Sequence, residues 1–175
     1  MRSTSSVTPT DPAVLLRPAE PSDLPGVAEV HVAARAAAVA TGAMPPAVHT
    51  DDEVRAWVAG WDLTAYDVWV ADVDGRVVAY ARATATWLDD LYVLPAHQGS
   101  GVGGALLGLV QAGHPDGFGL WVFESNAPAR AFYRRCGLVE RERTDGSENE
   151  EGEPDVRMEW VSVSPDTMAE GQDVG

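Results

Sequence analysis

The sequence predicts a single α+β domain, a mixed central sheet of about seven strands flanked by four helices. Three observations lead there. Hydrophobic periodicity switches between helical and strand spacing in the order β-α-α-β-β-β-α-β-α-β-β along the chain. Asp74-Gly75 stands between two β-branched runs and is a hairpin signal, so the middle strands form an antiparallel meander. A length of 175 residues with 45% hydrophobic content suits one core.

The elements follow in order. Leu15-Leu16-Arg17 is a short strand, and after the turn at Pro18–Asp23 a helix starts near Ser22 or Asp23. Leu24, Val27, Val30 and Ala34 recur at helical spacing and form its buried stripe. A Gly- and Pro-containing loop runs from Thr41 to His49. Thr50-Asp51-Asp52-Glu53 is a capping box, and Val54, Trp57, Val58 and Trp61 then mark a second amphipathic helix. Val68, Val70 and Asp72 alternate with Trp69, Ala71 and Val73 in the next strand. Val77 to about Ala85 and Trp87 to Val93 complete the meander, which Pro95 ends. A glycine-rich turn at Gly99–Gly104 leads into an apolar helix through Val110. Phe118–Phe123 is a buried strand, Asn126–Cys136 a helix, and strands around Leu138–Glu142 and Val156–Val161 close the domain. Residues 1–13, rich in Ser, Thr and Pro, read as a flexible arm, 14–163 as the domain, and 164–175 as a flexible acidic tail.

Composition removes several classes of function. The formal net charge is −15 and every basic residue is Arg, so neither a Schiff-base nor a P-loop lysine is available. Nucleic-acid binding needs clustered basic residues to displace phosphate counterions, and the acidic balance argues against it. No apolar run reaches the roughly 18–20 residues of a membrane span. The N-terminus lacks the apolar centre of a signal peptide, and a single cysteine excludes an internal disulfide framework. The chain therefore reads as cytoplasmic. The four histidines are too scattered for a zinc module, so no metal is expected.

The segment Leu91-Tyr92-Val93-Leu94-Pro95-Ala96-His97-Gln98-Gly99-Ser100-Gly101-Val102-Gly103-Gly104 is the most informative. A strand feeds a turn whose glycines clear side chains from the path of a ligand. The next helix opens with unpaired N–H groups and a positive dipole end, which suits phosphate or pyrophosphate oxygens. Gly99, Gly101 and Gly104 also satisfy the letters of the dinucleotide fingerprint, and Glu124 falls where a ribose-binding acid is expected. Against that reading, Pro95 to Gln98 separate strand from turn, and an antiparallel meander precedes it. A Walker A loop fails because no Gly-Lys-Ser/Thr follows.

Gln98-x-x-Gly101-x-Gly103, between a strand and a helix, resembles the hallmark of the GNAT acetyltransferase superfamily. A second match lies downstream in Asn126-x-x-Ala129-x-x-Phe132-Tyr133-x-x-x-Gly137-Leu138. The resemblance spans roughly Leu15 to Trp160. It implies the GNAT-like fold and an acetyl-CoA-dependent N-acetyltransferase in which an amine attacks directly within a ternary complex. Backbone amides of Gly99, Ser100, Gly101, Val102, Gly103 and Gly104 would cradle the CoA pyrophosphate. Backbone groups of Leu91 and Val93 would pair with the pantetheine arm like an added strand, and Tyr92 and Gln98 would belong to the same cofactor-binding set. Asn126 would hold the pantetheine end, and Tyr133 would sit near the sulfur. The acceptor is a small-molecule, peptide or protein amine, and a homodimer is compatible with related domains. A non-catalytic acyl-CoA-binding regulator on the same fold is the alternative reading.

Acetyl transfer to an alkylamine needs a proton acceptor for the ammonium and a donor for the departing thiolate. Tyr133 is the expected donor. Asp89 and Asp90, on the strand entering the turn, are the candidate bases, with Asp89 ranked first and one of the two expected to face the cleft. Glu29 and Glu124 are further candidates, and a chain of waters is an alternative. Cys136 has no His at a spacing that marks a thiol partner, so it reads as packing, and His97 as a loop residue. Met44, Pro45 and Pro46 are expected to shape the acceptor wall.

Overall fold

The computed structural model describes residues 13–162. The acidic tail, and all but the last residue of the N-terminal arm, lie outside that range. Seven strands and four α-helices appear in the order read from the sequence: β1 (Val14–Pro18), α1 (Leu24–Ala40), α2 (Asp51–Ala59), β2 (Asp67–Val73), β3 (Arg76–Ala83), β4 (Leu88–Val93), α3 (Val102–Gly113), β5 (Phe118–Phe123), α4 (Ala127–Arg135), β6 (Val139–Arg143) and β7 (Asp155–Trp160).

Local chemistry accounts for the element ends. Before α1 a 3₁₀ turn occupies Pro21–Asp23, because proline cannot donate but is pre-set for the first helical turn. At α2 the capping box forms as read: Glu53 N donates to Thr50 Oγ1 at 3.3 Å, and Thr50 N donates back to Glu53 Oε2 at 2.7 Å. The β2–β3 hairpin turns on Asp74 and Gly75, both left-handed at φ 52° and 79°.

The central sheet is split. β1-β2-β3-β4 form one antiparallel sheet and β5-β7-β6 another. One parallel bridge, Trp87 to Gly119, joins them where β4 and β5 begin. Gly119 permits this approach, since a Cβ there would lie 2.9 Å from the Trp87 ring. Gly119 N also donates to Thr86 O at 2.9 Å. Beyond this point the strands have no ladder between them, so the mixed sheet expected from the crossover opens into a wedge.

Both faces of the four-stranded sheet are covered. Val27 and Val30 of α1 and Val58 of α2 pack on Val68, Val70 and Tyr80. On the other face, Leu106, Leu107 and Val110 of α3 pack on Ala71, Ala79 and Ala81 and continue into Leu120 and Met158. The alternation read in β2 thus divides two cores, each residue withdrawing apolar area worth about 25 cal/mol per Å². A bulge at Ala71/Asp72 releases Asp72 from the alternation. Its carboxylate then takes Arg17 at 2.9 Å, and Arg17 also holds Asp23 at 2.6 Å, fixing the entry to α1.

His31 shows what this core does to a titratable group. It is buried in α1, with Nδ1 2.8 Å from the Tyr80 hydroxyl and its ring 4.6 Å from that of Tyr92. Burial, reinforced by the positive charges of Arg35 and Arg82, pushes its pKa down to about 4. The unfolded chain takes up this proton near pH 6.5, the folded chain only near 4, so the His31 contribution is complete above pH 6.5 and is lost as pH falls toward 4. Urea titrations are expected to lose up to about 3 kcal/mol across that window. The variant His31→Gln, which keeps a partner for Tyr80 without titrating, is expected to remove this slope.

Candidate active site

The wedge between β4 and β5 creates the site. Leu94 N donates to Val78 O at 2.9 Å, and Tyr92 pairs with Tyr80. Alternation in an antiparallel ladder therefore turns the N–H and C=O groups of Leu91 and Val93 away from β3, into the wedge. Gln98 Nε2 donates to the Val93 carbonyl at 3.1 Å, which ties the following turn to this edge.

That turn is built for close approach. Pro95–His97 form a 3₁₀ turn, and Ser100 Oγ donates back to His97 O at 2.6 Å. Gly101, the N-cap of α3, sits at φ 89°, a conformation that carries a steric cost of about 1–2 kcal/mol for a residue with a Cβ. The first amides of α3, those of Val102, Gly103 and Gly104, have no intrahelical partner by helix geometry and carry the positive end of its dipole. At Gly103 a Cβ would lie 3.4 Å from Val93 Cγ2 and 3.7 Å from Phe132 Cζ, so a larger side chain would close the gap between β4 and α4.

α4 forms the opposite wall. Asn126 caps it, accepting from Ala129 N at 3.2 Å, and Pro128, Ala129, Phe132 and Tyr133 face the cleft. The third wall is the C-terminal half of α1, with Ala34, Ala37 and Ala38, followed by Met44. Together they enclose a cleft of about 950 Å³.

Of the sequence-predicted residues, the cleft brings together Leu91, Tyr92, Val93, Gln98, Gly99, Gly101, Gly103, Gly104, Asn126 and Tyr133. Val102 belongs to the same turn, but its side chain is buried in the core. Ser100 belongs to the turn but does not line the cleft, and its hydroxyl donates to His97 O. Met44 lines the cleft, whereas Pro45 and Pro46 do not.

The carboxylates stand elsewhere. Asp89 is the extra residue of a β4 bulge, because Arg82 pairs with Asp90 while Ala83 pairs with Leu88. Asp89 is exposed, and partial desolvation outweighs the attraction of Arg82 to raise its carboxyl. Asp90 is buried and bound to Arg82 Nε at 2.6 Å. Burial raises its carboxyl despite the neighbouring guanidinium. Arg82 itself lies over Trp57, Trp61 and Tyr66, with its guanidinium 4.7–5.0 Å from each ring centroid. Neither aspartate lines the cleft: the bulge and the Arg82 pair take both away from it. Glu29 is held by Arg55 and Glu124 by Arg143, each at 2.6 Å.

Phe132, Cys136 and Arg135 are among the cleft residues that were not singled out as site residues from the sequence. Phe132 packs edge-on to Tyr133, with ring centroids 5.2 Å apart. Cys136 lines the cleft, and burial pushes its thiol up. Arg135 lines it too and forms no ion pair among the described residues, while the adjacent Arg134 binds Glu140 at 3.2 Å. Arg135 is therefore without an ion-pair partner among the described residues, and it lines the same cleft as Gly103 and Gly104 at the start of α3. Tyr133 is raised well above an ordinary phenol by desolvation, and Tyr92 is pushed up to about 12 by burial and by Asp90. Both stay protonated at neutral pH. In its free strand edge, its amide-lined helix start and the Arg135 guanidinium, the cleft suits a ligand with a phosphorylated end and an extended amide-bearing arm.

Comparison with known proteins agrees with this geometry. Residues 64–140 match the acetyltransferase (GNAT) domain. The fold superposes on YjaB from Escherichia coli with a TM-score of 0.68 at 18% identity, covering 86% of this chain and 99% of that one. The matched stretch contains the glycine turn, Asn126 and Tyr133. YncA from Salmonella typhimurium, solved with acetyl-CoA, matches this fold with a TM-score of 0.65 at 21% identity over 87% of this chain and 95% of its own. The ribosomal-protein-S18-alanine N-acetyltransferase of Escherichia coli gives 0.65 at 20% identity, over 93% and 100%. No curated protein matches at the level of sequence.

The two aspartates are expected to separate in a stability assay. Asp90→Ala strands the Arg82 cation and should cost about 3–5 kcal/mol of unfolding free energy in urea. Asp89→Ala, at an exposed bulge, should cost less than about 0.5 kcal/mol. Equal losses would contradict the assignment of the ion pair.

Proposed function

We propose that this domain is an acetyl-CoA-dependent N-acetyltransferase of the GNAT superfamily that acts on a primary amine by direct attack within a ternary complex. The observation that carries this reading is the single cleft in which the free edge of β4, the N-terminus of α3 and Tyr133 meet. The amides from Gly99 to Gly104 and the Arg135 guanidinium take the diphosphate end, where helix dipole and side-chain charge act in the same direction. Leu91 and Val93 pair with the amide-bearing arm as an added strand, and Gln98 keeps their edge in register with the turn. Asn126 contributes its remaining amide group at the far end of that arm.

Acetyl-CoA supplies a thioester whose carbonyl carbon bonds to the amine nitrogen as the C–S bond breaks. The wedge-facing N–H groups of β4 polarise that carbonyl, an arrangement that is fixed in advance and needs no reorganisation. The Tyr133 hydroxyl has no hydrogen-bond partner among the described residues and is not one of the sealed, unpaired polar atoms, so the cleft can reach it. It gives its proton to the leaving sulfur, the acylated nitrogen releases its own surplus proton to water in the open cleft, and the phenol is reprotonated from the same water. Direct attack is preferred to an acetyl-cysteine because burial disfavours the Cys136 thiolate.

A panel of amines assayed for released CoA thiol tests the reading. Tyr133→Phe is expected to lower kcat about 10- to 100-fold with little change in KM for acetyl-CoA. Arg135→Ala is expected to raise that KM several-fold and weaken its salt dependence, with kcat retained. A chain that binds acetyl-CoA but releases no thiol with any amine would instead be a sensor on this fold.

A further inference from the structure

The α1 side of the cleft is walled by methyl groups. Ala34, Ala37 and Ala38 lie at i, i+3 and i+4 on one face of α1, with Met44 beyond them and Tyr92 on β4. No Asp or Glu lines the cleft among the described residues. Next to this wall, Arg35 is bound to Glu151 at 2.6 Å, which spends the carboxylate that the β6–β7 segment brings to α1. The titratable groups that do face the cleft are Tyr92, Tyr133, Cys136, Arg135 and His97. The two phenols and the thiol hold their protons at neutral pH, so none of them offers an ammonium a negative charge. His97 belongs to the 3₁₀ turn that opens the diphosphate cradle.

An ammonium entering such a wall would shed its water without gaining a counter-ion, which low-polarity surroundings strongly oppose. A neutral amine meets no such barrier. Resting on the acetyl-transfer reading above, we propose that the acceptor binds as the free amine, and that the site thereby selects weakly basic amines, the α-amino groups of peptides or amino-acid amides, over alkylamines such as lysine side chains and polyamines. The selectivity follows from proton occupancy. At pH 7 about one in ten α-amines of pKa near 8 is free, against about one in 2,500 alkylamines of pKa near 10.4. The greater intrinsic nucleophilicity of the alkylamine recovers part of that ratio, leaving a preference of about fifty-fold.

The test is kcat/KM by thiol release from the full chain between about pH 6 and 10, with an alanyl dipeptide amide and a butylamine of similar reach. The expected result is a preference of about fifty-fold for the peptide at pH 7, with a rising limb whose apparent pKa follows the acceptor, near 8 for one and above 10 for the other. A shared apparent pKa for both acceptors, or butylamine turned over as well as the peptide at pH 7, would reveal a base in the enzyme and overturn the inference alone. Thiol release with neither amine, in protein whose melting temperature acetyl-CoA raises, would overturn the acetyl-transfer reading and the inference with it. Ala38→Glu supplies the missing counter-ion and is expected to narrow the preference at least tenfold; a folded variant with unchanged preference would count against the inference.

Discussion

The contact between Trp87 and Gly119 is the constraint on which the site depends. It joins β4 to β5 at one point and leaves them unpaired beyond it. Were the ladder continued, the N–H and C=O groups of Leu91 and Val93 would be consumed by β5, and the sheet would present no edge to a ligand. Stopping it exposes polar backbone in the middle of a domain, a cost that a folded protein sustains where water or a ligand reaches those groups. The stacking of Trp87 on Trp121, with planes 9° apart, gives the joint further aromatic support.

The two cores then hold the walls of the wedge independently. α3 is fixed from beneath by Leu106, Leu107 and Val110, so the direction of its N-terminal amides is set by packing and not by the ligand. α1 is fixed on the other face through Val27 and Val30, which presents its alanines to the cleft. Gln98 and Gly103 are the points at which the turn, β4 and α4 are kept in mutual register. Preorganised donors of this kind cost little at the moment of reaction, which is why the geometry favours acyl transfer over simple packing.

Much of this was legible in the sequence because it is local. The capping box at Thr50, the Asp74-Gly75 hairpin and the glycine turn each declare themselves within a few residues, and periodicity separates the two faces of β2. The roles of the carboxylates were not legible. Asp89 and Asp90 differ through a bulge and through an arginine on the neighbouring strand, itself enclosed by rings from α2 and from the loop after it. Alternation alone sends one of them to the cleft. Arg134 and Arg135 are likewise equivalent as letters, and the position of Glu140 on β6 decides that Arg134 is the one it pairs with among the described residues. The splitting of the sheet depends on which glycine meets which tryptophan, a contact between residues 32 positions apart.

The central claim, that the amides at the start of α3 and the free edge of β4 receive one ligand together, is tested most directly by titrating ¹⁵N-labelled protein with acetyl-CoA and following backbone amide shifts. The account predicts concerted, saturable shifts at Gly101, Gly103, Gly104, Leu91 and Val93. Saturable binding that leaves these five amides unmoved, or that moves only the turn and never the strand, would contradict it.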